Sequence, residues 1–224
     1  MARLNRLYTV TLAILLTASA AWAQQWQIVR TGADLEALER TVSALVRDGY
    51  VPVGLDLSEE RGVAVLVTRS PLLTSGSWRI HEASSPERAT EEFTALIEAG
   101  YLIMDVSISG DSIVGLFSMS PAVVGGWRIV QSAPNFFDAN AVVTRFQTDG
   151  FTAWGVSAAP EGIWHLMVRF VGDRRYQTIL VGVPAAPEEE TVTALTGLVA
   201  EGWIPWGLSI REDEYLVRLI RVDE

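Results

Sequence analysis

Leu195-Thr196-Gly197-Leu198-Val199-Ala200-Glu201-Gly202-Trp203-Ile204-Pro205-Trp206-Gly207-Leu208-Ser209-Ile210 holds the pattern that decides the fold. Leu195 and Leu198 lie seven and four residues before Gly202, a spacing that recurs on one face of a 3.6-residue helix. Gly202 then suits the left-handed cap conformation that other residues adopt only at a cost. Beyond the glycine the period changes to two. Ile204, Trp206, Leu208 and Ile210 fall on one face of a strand, and Trp203, Pro205, Gly207 and Ser209 on the other.

The same passage occurs three more times. Gly49-Tyr50, Gly100-Tyr101 and Gly150-Phe151 match Gly202-Trp203, and the four glycines are 51, 50 and 52 positions apart. Before them stand Val42 and Leu45, Phe93 and Leu96, Val143 and Phe146; after them come strands such as Val51-Val53-Leu55-Leu57 on one face and Tyr50-Pro52-Gly54-Asp56 on the other. The first face belongs to a core, and the second faces solvent or a neighbouring unit. Each copy also opens on a strand led by an aromatic: Trp26, Trp78, Trp127 and Tyr176. Turn residues after the second strand lead into a third, clearest at Val63 to Val67 and Tyr215 to Val222.

Self-similarity at a fixed period is the mark of a repeat architecture. The sequence therefore predicts an α+β protein of four tandem strand-helix-strand-strand repeats, spanning 24–70, 78–120, 127–171 and 176–224. Each unit carries its helix on one face of a mixed sheet. Ser70 to Ser77 and Ser120 to Gly126 read as linkers, and Gly172 to Arg175 as a hairpin between the last two units. One short helix over three strands buries little, so the units should lean on one another, as two pairs or as a closed pseudo-fourfold ring.

Residues 1–23 predict a secretory signal peptide. Arg3 and Arg6 precede an apolar stretch from Leu7 to Leu16, and Ala21-Trp22-Ala23 supplies a small-x-small cleavage site before Gln24. The apolar stretch is too short to cross a bilayer, and no later run replaces it. A periplasmic or secreted location without a membrane span after cleavage is expected. With no cysteine, neither disulfides nor lipid attachment at the cleavage site is available. Removing the leader takes two of 17 basic residues and none of 27 acids, leaving 15 − 27 = −12, which disfavours nucleic acid as a partner.

The repeat resembles a small bacterial domain family of unknown function, a strand, a helix, a Gly-Trp-Glu-Leu type turn and two strands. The matching residues are Trp127-Arg128-Ile129-Val130, Gly202-Trp203-Ile204 and Tyr215-Leu216-Val217-Arg218. That resemblance implies a fold rather than an activity. Ile129-Val130-Gln131-Ser132 with Gly150-Phe151 is also similar to SPOR domains, periplasmic modules that bind peptidoglycan glycan strands, and this second resemblance implies a glycan partner.

Chemistry is sparse. His81 and His165 are the only histidines, too few for a zinc site that needs three or four His, Cys or carboxylate ligands. His81 sits where Val29 and Val130 stand in sister units and reads as a strand histidine with a hydrogen bond. His165 alternates away from Trp164 and Leu166, toward solvent or a neighbouring unit. Gly155-Val156-Ser157 and Gly207-Leu208-Ser209 imitate a nucleophile elbow, but the serines lie inside a strand rather than at a strand-to-helix turn. Acidic pairs such as Glu91-Glu92 lack a calcium-loop pattern and read as solvated faces. No cofactor, metal site or catalytic residue is predicted. The aromatic surplus offers the one ligand hypothesis: Trp154, Trp206, Trp203 and Trp164 as sugar- or peptide-binding residues. Against it, Trp154 and Trp206 share the face that carries Val and Leu elsewhere, as core residues would. The sequence thus favours a non-enzymatic exported binding or scaffolding protein with an unidentified protein or glycan partner; a glycan binder is the alternative, and a hydrolase with a site between repeats a weaker one.

Overall fold

A computed structural model describes residues 25–32, 34–58, 62–70, 72–73, 76–110, 112–172, 175–186, 188–211 and 214–223. The leader predicted over 1–23 lies outside the described residues. No helix among the described residues is long and apolar enough to cross a membrane.

The four units repeat one order of elements. The first comprises β1 (Trp26–Thr31), α1 (Leu35–Arg47), β2 (Val51–Ser58) and β3 (Gly62–Thr68), and the second β4 (Trp78–Ala83), α2 (Pro86–Glu98), β5 (Tyr101–Ser109) and β6 (Ser112–Met119). The third has β7 (Val124–Ser132), α3 (Phe136–Thr148), β8 (Thr152–Ala159) and β9 (Gly162–Phe170), and the fourth β10 (Tyr176–Pro184), α4 (Glu188–Ala200), β11 (Ile204–Arg211) and β12 (Glu214–Val222). Each helix has 13 residues. Asp34, Ser85 and Asn135 cap the first three by accepting a hydrogen bond from Ala37, Arg88 and Asp138 N–H. Gly49, Gly100, Gly150 and Gly202 end the helices with φ of 90, 93, 79 and 89°. The next N–H then reaches back into the last turn, as from Tyr50 to Leu45, Phe151 to Phe146 and Trp203 to Leu198, and seats the aromatic beside the helix end.

Within every unit the third strand is central, in the order β1-β3-β2 and its three repeats, and all pairings are antiparallel. The first and second strands run parallel but never touch, so the sheets are antiparallel throughout rather than mixed. β7 also starts earlier than its aromatic leader, at Val124, because Val171 N–H bonds Val123 C=O and lengthens the pairing with β9.

One irregularity recurs in all four units. The ladder between the second and third strands skips Val53, Met104, Trp154 and Trp206, each of which bulges just before Gly54, Asp105, Gly155 and Gly207. The bulged strands meet side by side: β2 contacts β5, β5 contacts β8, β8 contacts β11 and β11 returns to β2. The units therefore close as a pseudo-fourfold ring, with the second strands on the axis, the third strands outside them and the first strands at the rim, in the manner of a small propeller. The expected choice between solvent and neighbour for the Pro52-Gly54-Asp56 face resolves to the neighbour, and all three residues are buried.

Helices α1, α2 and α4 join the main core, while Ala139 and Val143 of α3 pack in two smaller clusters. Phe93 of α2 packs edge-to-face on Phe117 of its own sheet and at a tilt on Trp127 of the next unit, at ring distances of 5.1 and 5.9 Å. Arg30 of the first unit donates to Tyr215 of the fourth, across the closure of the ring.

Candidate functional site: a sealed polar axis and two open clefts

The bulges turn one N–H from each second strand toward the axis. Asp105 receives all four. Its Oδ1 accepts from Val106 (2.9 Å) and Val156 (2.8 Å), and its Oδ2 from Leu55 and Leu208 (both 2.9 Å). These donors occupy equivalent positions in the four units, so one carboxylate satisfies the whole ring. Only one side chain fits there. A Cβ on Gly155 would collide with Asp105 Oδ1, and one on Gly54 would lie 2.8 Å from Leu208 N. Burial pushes the Asp105 carboxyl well above the ordinary carboxylate range, while the four N–H bonds pull the other way.

A second tier follows two residues along each strand. Leu57 N–H donates to Ser107 Oγ, Ile108 to Ser157 and Ala158 to Ser209, each at 2.9 Å, and Ser209 Oγ–H closes the circle on Asp56 Oδ1 at 3.0 Å. Ser157 and Ser209, which imitated a nucleophile elbow in the sequence, link each unit to the next.

A third polar group bridges units three and four. Arg218 stands where Leu66, Leu116 and Leu166 stand in the sister units, and its Nη2 donates to His165 Nδ1 at 2.9 Å. An arginine has no acceptor to offer, so Nδ1 accepts and the ring proton sits on Nε2, directed at Ser132 Oγ 3.2 Å away. Ser132 Oγ–H in turn donates to Ile163 or Ala133 C=O. Burial, with the Arg218 charge beside it, holds His165 down to about 3; burial likewise lowers Arg218 to about 10, opposed by the Asp105 charge. His165 is 0% and Arg218 1% exposed. The pair of residues that would attract attention as serine and histidine is thus closed to any substrate in this conformation. His165 takes the neighbouring-unit alternative of the two the alternation allowed. His81 lies apart: its Nε2 meets Glu92 at 2.8 Å, and this bond, ahead of the nearby Arg88, lowers the Glu92 pKa. No group of three or more metal-ligating side chains occurs among the described residues.

The four candidate tryptophans do not form one strip. Trp154 and Trp206 are 1% and 0% exposed and cross edge-to-face at 4.6 Å. Trp154 also packs on Phe170 and Tyr176, at 4.7 and 5.2 Å. Trp164 and Trp203 are half-buried and line separate clefts between consecutive units. The cleft between units two and three, about 880 Å³, runs along α2 and β7 and includes Thr94, Ile97, Trp127 and Trp164. The cleft between units three and four, about 1240 Å³, is formed by Phe151, Arg169, Arg175, Tyr176, Thr178 and Trp203 with their neighbours.

Sequence reasoning missed Phe151, Arg169, Arg175 and Tyr176 as cleft residues. A signal existed, since each aromatic after a cap glycine carries an arginine over its ring: Arg69 on Tyr50, Arg79 on Tyr101, Arg128 and Arg169 on Phe151, and Arg221 on Trp203, at 4.5 to 5.9 Å. Comparison with protein-family models, with curated proteins and with solved structures finds no match.

Proposed function

We propose that the protein is an exported, non-enzymatic binding or scaffolding protein that holds its ligand in a cleft between units. The observation that carries this reading is the division of the polar groups. Those that could do chemistry are spent in the interior: Ser132, His165 and Arg218 on one another, and Asp105 on backbone N–H groups. The clefts instead offer aromatic faces and scattered hydrogen-bonding groups, the lining that recognition needs.

A glycan ligand is the second reading, favoured by Trp164 and Trp203, each half-buried in a cleft. The SPOR resemblance points the same way. The unit order of strand, helix, strand, strand departs from the SPOR order and keeps this reading second.

The test is direct binding. Purified mature protein titrated calorimetrically with soluble peptidoglycan fragments and with periplasmic peptides should bind one class saturably, and Trp203→Ala should weaken the binding while leaving the circular dichroism spectrum unchanged. Turnover of a chromogenic ester or glycoside, abolished by His165→Gln in a still-folded protein, would contradict the non-enzymatic reading.

A further inference from the structure

The cleft between units three and four differs from its neighbour in charge. The ionisable groups lining the cleft between units two and three are Glu98 and Arg128, which offset each other. In the cleft between units three and four they are, among the described residues, Arg169, Arg175 and Asp223. Two further arginines lie over its aromatic walls: Arg128, which it shares with the other cleft, at 4.5 Å from the Phe151 ring, and Arg221 at 4.5 Å from the Trp203 ring. Among the described residues none of these four arginines forms a salt bridge, although the chain carries 27 acids against 17 bases. A net negative protein that gathers unpaired arginines at one cleft keeps that charge for something outside itself.

The geometry of the arginines sets what they can take. A guanidinium stacked on a ring uses its flat face and leaves N–H donors along its edge for a planar anion. Arg169 spends one donor on Gly125 C=O and Arg221 one on Gln177 Oε1. Among the described residues, Arg175 makes no hydrogen bond through its side chain. Asp223 is engaged by the Gln177 amide. Thr178 Oγ1, a further lining group, is buried without a hydrogen-bond partner. Trp203 and Tyr176 supply apolar surface for a ring.

We propose that this cleft binds a carboxylate-bearing saccharide, the sugar ring against Trp203 and Tyr176 and the carboxylate on Arg175 and Arg169. This rests on the reading of the protein as a binding module and narrows its ligand from any glycan or peptide to an anionic sugar. Net positive lining in a cleft of about 1240 Å³ suits a short oligosaccharide rather than a single ion.

The experiment compares a galacturonic-acid hexasaccharide with the neutral galactose hexasaccharide, by calorimetry on the mature protein at low and at physiological salt. The expected result is at least tenfold tighter binding of the uronate, weakening as salt rises, and a loss of tenfold or more in Arg175→Gln. Arg175 is exposed and, among the described residues, its side chain makes no hydrogen bond or salt bridge, so that variant should melt like the parent. Equal affinity for both sugars, or an Arg175→Gln variant that binds the uronate like the parent, would overturn the anionic assignment and leave the binding module standing. Binding of neither sugar overturns the anionic assignment too; binding of a peptide in the same cleft, blocked by Trp203→Ala, would then show that the binding-module reading survives without it. A uronate bound with its affinity unchanged in Trp203→Ala and Arg175→Gln would place the sugar elsewhere and sink the proposal.

Discussion

The axis and the rim of the ring treat the fourfold repetition in opposite ways. On the axis the four units are nearly interchangeable, each giving a bulge, one inward N–H and one hydroxyl or carboxylate, yet the repetition cannot be complete. Four converging donors need one acceptor, and four acceptors would collide. Asp105 therefore stands in a slot where the other three units have glycine. At the rim each copy keeps its glycine cap and its aromatic but surrounds them differently. Asymmetry serves closure on the axis and, on the proposed reading, selectivity at the rim.

The comparison breaks most violently at Gly155. Gly155→Ala puts a methyl group onto Asp105 Oδ1 and 3.0 Å from the Asp105 Cα, backbone that cannot swing aside. The ring should fail to close, at a cost on the order of 4 kcal/mol or more. A urea melt close to that of the parent would show that the axis is looser than described.

Next comes the aromatic plug beside the axis. Trp206→Ala removes a fully buried indole from contact with Trp154 and should cost roughly 3 to 5 kcal/mol. Because the second strands share one core, the loss should appear as a single lowered transition rather than the separate melting of one unit. Two resolved transitions in calorimetry would mean that the units are independent.

The interface between units three and four should carry an acid limb of its own. His165 is held at about 3 when folded, against about 6.5 when unfolded, so below pH 6.5 the unfolded chain binds the extra proton. Its contribution is full above 6.5 and is lost as pH falls toward 3, on the order of 5 kcal/mol in all. His165→Gln keeps an acceptor for Arg218 but cannot titrate. Its stability should fall less steeply between pH 6 and 4 than the parent's, and parallel curves would contradict the burial of a neutral imidazole.

The smallest expected effect is at the rim. Trp203→Ala gives up a half-buried ring and the Arg221 stack, and should cost about 1 to 2 kcal/mol while the ring stays closed. A collapse comparable to that of Trp206→Ala would make Trp203 a core residue and remove it from the ligand question.

What the sequence disclosed was what repeats locally. The helices, their glycine ends and the two later strands follow from spacings within some twenty residues, as from Leu195 to Ile210. The bulge did not, because Val53-Gly54-Leu55 alternates as a plain strand would, and only the glycine inside it hinted at close backbone approach. Asp105, lying between Met104 and Val106, reads as an ordinary outward polar residue; its role depends on three strands about 50 and 100 residues distant. His165 and Arg218 replace apolar residues of sister copies, and nothing local says that the two replacements face each other. The clefts were the least legible. Alternation puts Trp154 on the core face, but whether Trp164 and Trp203 meet solvent depends on how neighbouring units dock.

Asp105→Asn tests the central claim most directly. The amide matches the carboxylate in shape but replaces one oxygen with an NH2 group, which must face two of the four inward N–H groups and can accept from neither. If the carboxylate is the common acceptor that closes the ring, leaving two buried donors unpaired should cost about 2 to 5 kcal/mol in urea unfolding, with formate or acetate unable to enter the filled slot and restore it. An Asp105→Asn protein as stable as the parent would show that the axis needs only a side chain of that size, and that four N–H groups converging on one carboxylate do not hold the units together.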